Sequence, residues 1–400
     1  MSYFEHLELL PPDPILSLTW AFKKEKNPHK VDLSVGIYHN ANLDKEILKC
    51  VKKAEEALLK LEIDKAYLPV EGNPVFIKDT EKLIFGSELA EQLKGRIIGA
   101  QTPGGTGALR MGGEFLKYSG LENIAFPSPT WANHPTIFNR CKMKADFYPY
   151  YCTETNSLEF DKMMPHLKKL PKKTVILLHA CCHNPTGCDL SKEQWNDILT
   201  VVKKNGLLPF FDSAYQGLGD NLNDDAYGVR LFARSGIEML VAYSFSKILG
   251  LYGERTGAVF AILSNEKVAK NAATNLKLVI RGNYSNPPRH GGAIASYIFN
   301  HPELKNMWRA ELSIMQRRIT EMRHLFTTKL VDAAKIVDYR HIQDRKGMFC
   351  YTGLRKSQVA RLKEEYGIYM PGSGRVNVTG LNEDNVHYVV DAIINVTEKS

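Results

Sequence analysis

The stretch TVILLHACCHNPTGCDLSKEQWNDILTVVKKNGLLPFFDSAYQG, from Thr174 to Gly217, holds two short apolar runs separated by one helical pattern. The first run, TVILLHA, feeds a polar turn at Asn184-Pro185-Thr186-Gly187. The second, GLLPFFD, delivers Asp212 directly after its apolar residues. Near-continuous apolar runs of this length read as strands buried on both faces, and SKEQWNDILTVVKKNG supplies the helix that a parallel crossover needs. The rhythm continues on either side, in NIAFPSP and ADFYPYY before it and EMLVAYS and TGAVFAIL after it. An α/β fold follows, with a parallel sheet covered by helices on both faces and site residues at the carboxyl ends of its strands.

Beyond SNPP, a helical pattern runs from Pro302 to about Ala334, with apolar positions Leu304, Trp308, Leu312, Met315, Ile319 and Met322. It is long enough to link two domains. The remainder, including GMFCYTGL, SQVARLKEEYG and GRVNVTGL, reads as a smaller mixed unit of strands and helices. No internal repeat or low-complexity tract is present.

Composition narrows the function classes. At 400 residues and 44% hydrophobic content the chain is globular, of roughly two domains, and not disordered. The net charge of +8 comes from lysines scattered in short groups such as CVKKAEE and VVKKNG, which fits a solvated face that attracts anionic substrates better than a nucleic-acid surface. Seven cysteines, odd in number and without small-domain spacing, predict a reducing compartment and no disulfide framework. The opening MSYFEHLELLPPDPILSL has neither the basic start of a secretory signal nor the arginines of a transit peptide, and no apolar run reaches membrane-spanning length. A cytoplasmic location, with no membrane or nucleic-acid partner, is the expectation.

Three further stretches carry chemistry. Gly104, Gly105, Thr106 and Gly107 precede an apolar-periodic helix, where free backbone N–H groups favour a phosphate; neither a Walker motif nor a dinucleotide fingerprint is present. Cys181, Cys182, His183 and Cys188 lack the separated ligand pairs of a structural zinc site, so no metal is expected. In AYSFSKILGLYGER, Lys247 stands alone in an apolar and hydroxylic run, flanked by Ser244 and Ser246, with Arg255 eight residues on. A phosphate turn, a strand-end aspartate and a strand-end lysine together are the parts for pyridoxal 5'-phosphate. In such a site lysine supplies the Schiff base, and aspartate keeps the pyridine nitrogen protonated.

In PPDPILSL, AYLPVEG, GGTGALR, PSPTWANH, HNPTG, DSAYQG, SFSK…GER, SNPP, GMFCYTGL and SGRVNVTGL, taken in order, the chain resembles the aspartate aminotransferases over its whole length. The resemblance implies a fold type I architecture: a large domain with a mostly parallel seven-stranded sheet flanked by helices, and a smaller α+β domain. Residues 1–48 would form an N-terminal arm and part of the small domain, 49–313 the large domain and 314–400 the rest of the small one. It makes Lys247 the cofactor-bonding lysine and proton shuttle, Asp212 the partner of the ring nitrogen and His134 the support of Asp212. Trp131 would stack on the ring, and Asn184 with Tyr215 would bond its phenolic oxygen. Gly105, Thr106, Ser244 and Arg255 would hold the phosphate, joined by Tyr67 of a second subunit. Arg375 would grip the substrate α-carboxylate with Gly36 close by, and Arg281 of the second subunit the distal carboxylate. The implied reaction is ping-pong transfer of the amino group from L-aspartate to 2-oxoglutarate, giving oxaloacetate and L-glutamate, in a homodimer with shared sites. An aromatic amino acid transaminase of the same group is the alternative. The chain departs from the family's habit at Gly104, where serine is usual, at Ile248-Leu249 in place of Asn-Phe, and at Gly253.

Overall fold

The computed structural model describes residues 2–10 and 14–398. The first three residues of PPDPILSL lie outside the described residues; from Pro14 the chain is helical to Lys24. Seven strands form one sheet: β1 (Ile97–Pro103), β2 (Asn123–Ser128), β3 (Lys144–Pro149), β4 (Val175–His179), β5 (Leu208–Ser213), β6 (Met239–Ser244) and β7 (Thr256–Ile262). Their order across the sheet is β1-β7-β6-β5-β4-β2-β3. The five strands β2 to β6 pair in parallel, while β7 runs antiparallel to both β6 and β1. The expected seven-stranded, mostly parallel sheet is therefore present. TGAVFAIL is its one reversed strand.

Alternation along the strands builds two cores. Val175, Leu177, Phe210, Leu240 and Ala242 pack on one side of the sheet, and Ile176, Leu178, Phe211, Val241 and Tyr243 on the other. Successive side chains of a strand point to opposite faces, so continuous apolar runs are what a doubly covered sheet requires. The crossover helix of the opening stretch runs Lys192–Asn205 and buries Trp195, Ile198, Val201 and Val202. Ser191 starts it with a capping box to Gln194, and Gly206, with φ 62°, ends it.

The long helix spans Pro302–Ala333, and all six of its predicted apolar positions are buried. Trp308 on it donates its indole N–H to the carbonyl of Ile248, at 2.7 Å. Ile248 and Leu249 are both fully buried, so the apolar pair beside Lys247 is core packing that fixes the lysine-bearing turn to this helix. In the smaller unit, Phe349–Tyr351 pairs antiparallel with Arg375–Asn377. Val31–Asp32 pairs in parallel with Ile368–Tyr369, which joins the segment before the sheet to the C-terminal part.

Candidate active site

The carboxyl ends of β1, β2, β4, β5 and β6 and the start of β7 meet at one edge of the sheet, around a cavity of about 230 Å³. Gly105 and Thr106 line it from the turn after β1, Trp131 from beyond β2, Asn184 from beyond β4, Asp212 and Tyr215 from the end of β5, and Lys247 and Arg255 from the connection of β6 to β7. A hollow of about 390 Å³ opens at the opposite edge, but its lining is mainly aliphatic and aromatic, with Glu238 as its one ionisable acid. Convergent charge, not volume, marks the first cavity as the site.

The turn after β1 is the first turn of a helix, Gly104–Tyr118, with no side chain capping its N-terminus. Its leading N–H groups are free for an anion. Gly104 adopts φ +75°, and a Cβ there would lie 2.6 Å from Nη2 of Arg255. The departure from serine thus lets the guanidinium close on the turn. Arg255 also donates to the Tyr252 carbonyl at 2.9 Å. Ser244 stands one layer behind the wall: its hydroxyl accepts from the N–H of Ser246, at 3.2 Å, and Ser246 lines the cavity.

Asp212, one residue before the end of β5, meets Nε2 of His134 at 3.0 Å. Nδ1 of His134 lies 2.8 Å from Thr130 Oγ1, which lies 3.1 Å from Nε2 of His179. An ionised Asp212 can only accept, so the proton sits on His134 Nε2 and the chain runs from His179 through Thr130 to His134 and the carboxylate. Burial alone would raise the Asp212 pKa. The hydrogen bond from His134 and the positive charge of Lys247 nearby outweigh it and hold the carboxyl below its usual range. Burial, with His134 adding to it, pushes His179 down to about 3, so this ring stays neutral.

Lys247 lies with its Nζ 5.1 Å from the centroid of the Tyr215 ring. Burial, together with the Arg255 and Arg375 charges and against the pull of Asp212, brings its pKa down to about 8. Its neutral amine is therefore accessible near neutral pH. Tyr215, whose pKa burial raises, meets the Asn184 side-chain amide at 3.5 Å.

Arg375 adjoins the cavity through Asn184. Its Nη1 donates to Asn184 Oδ1 at 3.3 Å and its Nη2 to the Ser34 carbonyl at 2.6 Å, two residues before Gly36. The guanidinium lies 4.2 Å from the centroid of the Phe349 ring and is 7% exposed, and its Nε has no partner. Among the described residues no carboxylate pairs with it. Tyr67 and Arg281 are not brought to this cavity: both are exposed on their own chain, with Arg281 bonded to Ser285.

Thr130, His179 and Tyr252 join the site without having been singled out from sequence, and Ser246, noted there only as a flank of Lys247, lines the cavity. Thr130 stands four residues before His134, and Tyr252 falls within the quoted lysine stretch; both signals were short-range. Of the cysteine group, Cys181 and Cys182 bring their sulfurs within 4.8 Å of an Asp225 carboxylate oxygen, and that carboxylate accepts from the N–H groups of Gly217, Gly219 and Asp220.

Residues 28–393 match the family of class I and II aminotransferases. The chain belongs to that family. This aminotransferase is 42% identical to the aspartate aminotransferase of Haemophilus influenzae over 396 residues, covering 98% of this chain and all of the relative. It is 42% identical to the mitochondrial aspartate aminotransferase of Gallus gallus over 400 residues, covering 99% and 95%. Among solved structures, an aromatic-amino-acid aminotransferase from Burkholderia pseudomallei, covalently bound to pyridoxal phosphate, superposes with a TM-score of 0.96 at 42% identity, over the full length of both chains. The Saccharomyces cerevisiae cytoplasmic aspartate aminotransferase gives 0.95 at 34% identity, over 98% of each. Among the described residues no helix of this aminotransferase is long and apolar enough to cross a membrane.

Proposed function

We propose that this aminotransferase moves the amino group of L-aspartate to 2-oxoglutarate, giving oxaloacetate and L-glutamate, with pyridoxal 5'-phosphate as cofactor. The observation that carries the reading is Arg375, a buried guanidinium beside the cavity with no carboxylate of its own. A buried cation without a counter-ion is costly, and a ligand carboxylate repays that cost through a two-pronged hydrogen bond.

The residues present fit the cofactor. Gly105, Thr106 and Arg255 would hold its phosphate, with Ser244 behind them, and Asp212 would hold a proton on the ring nitrogen. Asn184 and Tyr215 would bond the ring oxygen and Trp131 would cover the ring. Bound pyridoxal phosphate supplies an electrophilic carbonyl carbon and a ring that accepts electrons. Lys247, whose amine is readily neutral, takes and returns the proton at the substrate Cα. Arg375 orients the α-carboxylate so that this proton faces the lysine. The His179–Thr130–His134 chain keeps Asp212 ionised throughout. Two half-reactions use the one cavity, as ping-pong kinetics require.

In this reading the enzyme is a cytoplasmic homodimer, with its large domain at residues 49–313. Tyr67 and Arg281 of a second copy complete each cavity, Arg281 gripping the distal carboxylate. Mixing two inactive variants tests this. Arg281→Asp should lose orders of magnitude in kcat/KM on dicarboxylates and favour cationic amino acids. Mixed with Lys247→Ala and allowed to exchange subunits, it should regain activity at about one site in four, because each mixed dimer rebuilds one intact site. No recovery despite proven exchange would show that the sites are not shared.

The cofactor is tested by absorption. Protein incubated with pyridoxal phosphate should show a visible band that shifts on addition of aspartate. Protein that stays colourless overturns the assignment. An aromatic preference is the second reading, favoured by the likeness to the Burkholderia pseudomallei enzyme. A higher kcat/KM for phenylalanine or tyrosine than for aspartate would establish it.

A further inference from the structure

Gln101 lies three residues before Gly104, on the edge strand β1, and is 1% exposed. Its main-chain groups on the outer side, and both ends of its amide, are taken up by two segments distant in sequence. The Gln101 N–H donates to the Glu71 carbonyl at 2.8 Å, and Oε1 accepts from the Asn73 N–H at 3.0 Å. The Gln101 carbonyl accepts from the Tyr284 hydroxyl at 3.1 Å, and Nε2 donates to the Pro288 carbonyl at 2.8 Å. Gly72, at φ +96°, and Gly292 make room for this side chain: a Cβ on either would lie 2.3 Å from Gln101 Cβ or 2.6 Å from Nε2.

The two segments are those that carry Tyr67 and Arg281. The ion pairs between them, Lys277–Glu71 and Arg289–Asp64 at 2.6 and 2.8 Å, lie at the surface and hold little, while the helix that carries Arg281, Glu266–Asn283, is seated from its other side by buried Ala272, Leu276 and Ile280. Gln101 is the buried polar tie between the two segments, and a buried amide with both ends satisfied fixes geometry that surface pairs do not. We infer that Gln101 is a positioning residue that holds Arg281, through Tyr284 and Pro288, at a fixed place on its own subunit, from which it reaches the second subunit's cavity, and so sets the selectivity for a distal carboxylate there. The inference rests on the proposed role of Arg281.

The two ends of the amide can be cut separately. Gln101→Glu keeps an acceptor for the Asn73 N–H and, when ionised, has no donor for the Pro288 carbonyl, so it is assayed across a pH series and read on its high-pH limb, whereas Gln101→Met loses both bonds at every pH. In the dimeric holoenzyme, Gln101→Glu should raise KM for aspartate roughly ten- to a hundredfold, the scale on which a misplaced binding group acts, with kcat and the values for phenylalanine changed far less. Amide hydrogen exchange should speed up at 284–286 and stay as in the wild type at 70–73. In Gln101→Met both segments should exchange faster. Equal losses on aspartate and phenylalanine in both variants, or kinetics unchanged in both, would overturn the inference. If Arg281→Asp itself leaves the aspartate preference intact, the role of Arg281 fails first; if it abolishes that preference while both Gln101 variants keep it, the positioning role alone fails.

Discussion

Lys247→Ala is expected to lose at least about 10⁴-fold in kcat for amino-group transfer, because one substitution removes both the covalent anchor and the proton carrier at Cα. The same variant should be more stable as free protein, and the sign follows from the position of Lys247. In the folded chain burial brings its pKa to about 8, while in the unfolded chain it returns to 10.5. Between those values the unfolded chain holds a proton that the folded chain has released, so raising the pH through this window favours folding of the wild type. Below pH 8 both states are protonated and the folded state carries the full desolvation penalty. Relative to Lys247→Ala, the wild type should therefore gain about 3 kcal/mol from pH 8 to 10.5, and the variant should unfold at the higher temperature at pH 7. The raised pKa values of Tyr215 and the buried cysteines act in the opposite direction as pH rises, but they are common to both proteins and cancel in the difference. Urea titrations of the two cofactor-free proteins across pH 7 to 10.5 check this. A variant that keeps transamination within a hundredfold of the wild type would remove Lys247 from the chemistry.

Much of this site was legible because strand ends are. Asp212, Asn184, Ser244 and Lys247 each follow an apolar run, and a parallel sheet covered on both faces presents the ends of its strands at one edge. Two features of the sheet were not read. The strand Ile97–Pro103, IIGAQTP, carries glycine, glutamine and proline where its neighbours are aliphatic, because it is an edge strand whose outer groups are met by loops, not by another strand. The reversal of β7 was signalled by length alone: only residues 245–255 separate it from β6, too few for a parallel crossover with its helix. Side-chain relays were less legible still. Thr130 and His179 meet His134 from separate strand ends, and no spacing along the chain records that meeting. Nor does any local pattern show that Gln101, in the motif AQTPGGTG, reaches two segments 28 and 187 residues away.

Arg375 sets the other large expectation. Arg375→Met should reduce kcat/KM for every amino acid by the 30- to several-thousand-fold that corresponds to about 2–5 kcal/mol for one half of a buried charge pair. The loss should be the same on aspartate, phenylalanine and alanine, because each carries the α-carboxylate. Arg281→Asp should instead penalise only the dicarboxylates, so the two arginines are told apart by the pattern of substrates lost. Arg375→Lys should recover part of the loss: an ammonium restores the charge but not the planar fork that meets both carboxylate oxygens. Misfolding is a poor rival explanation, and the structure says why. The guanidinium is buried on the Phe349 ring against two neutral acceptors, Asn184 Oδ1 and the Ser34 carbonyl, with Nε unpaired and no carboxylate bonded to it. Folding therefore bears the desolvation of a cation that no carboxylate among the described residues offsets, a cost that a substrate carboxylate would offset in the proposed role. Replacing such a group by an apolar side chain of similar length is neutral or stabilising in the absence of ligand. Arg375→Met without substrate should unfold at or above the wild-type temperature, and added aspartate or maleate, a dicarboxylate that cannot react, should raise the melting temperature of the wild type and not of the variant. Should Arg375→Met keep its kcat/KM within threefold on all three amino acids, the carboxylate grip would have to be sought elsewhere in the cavity.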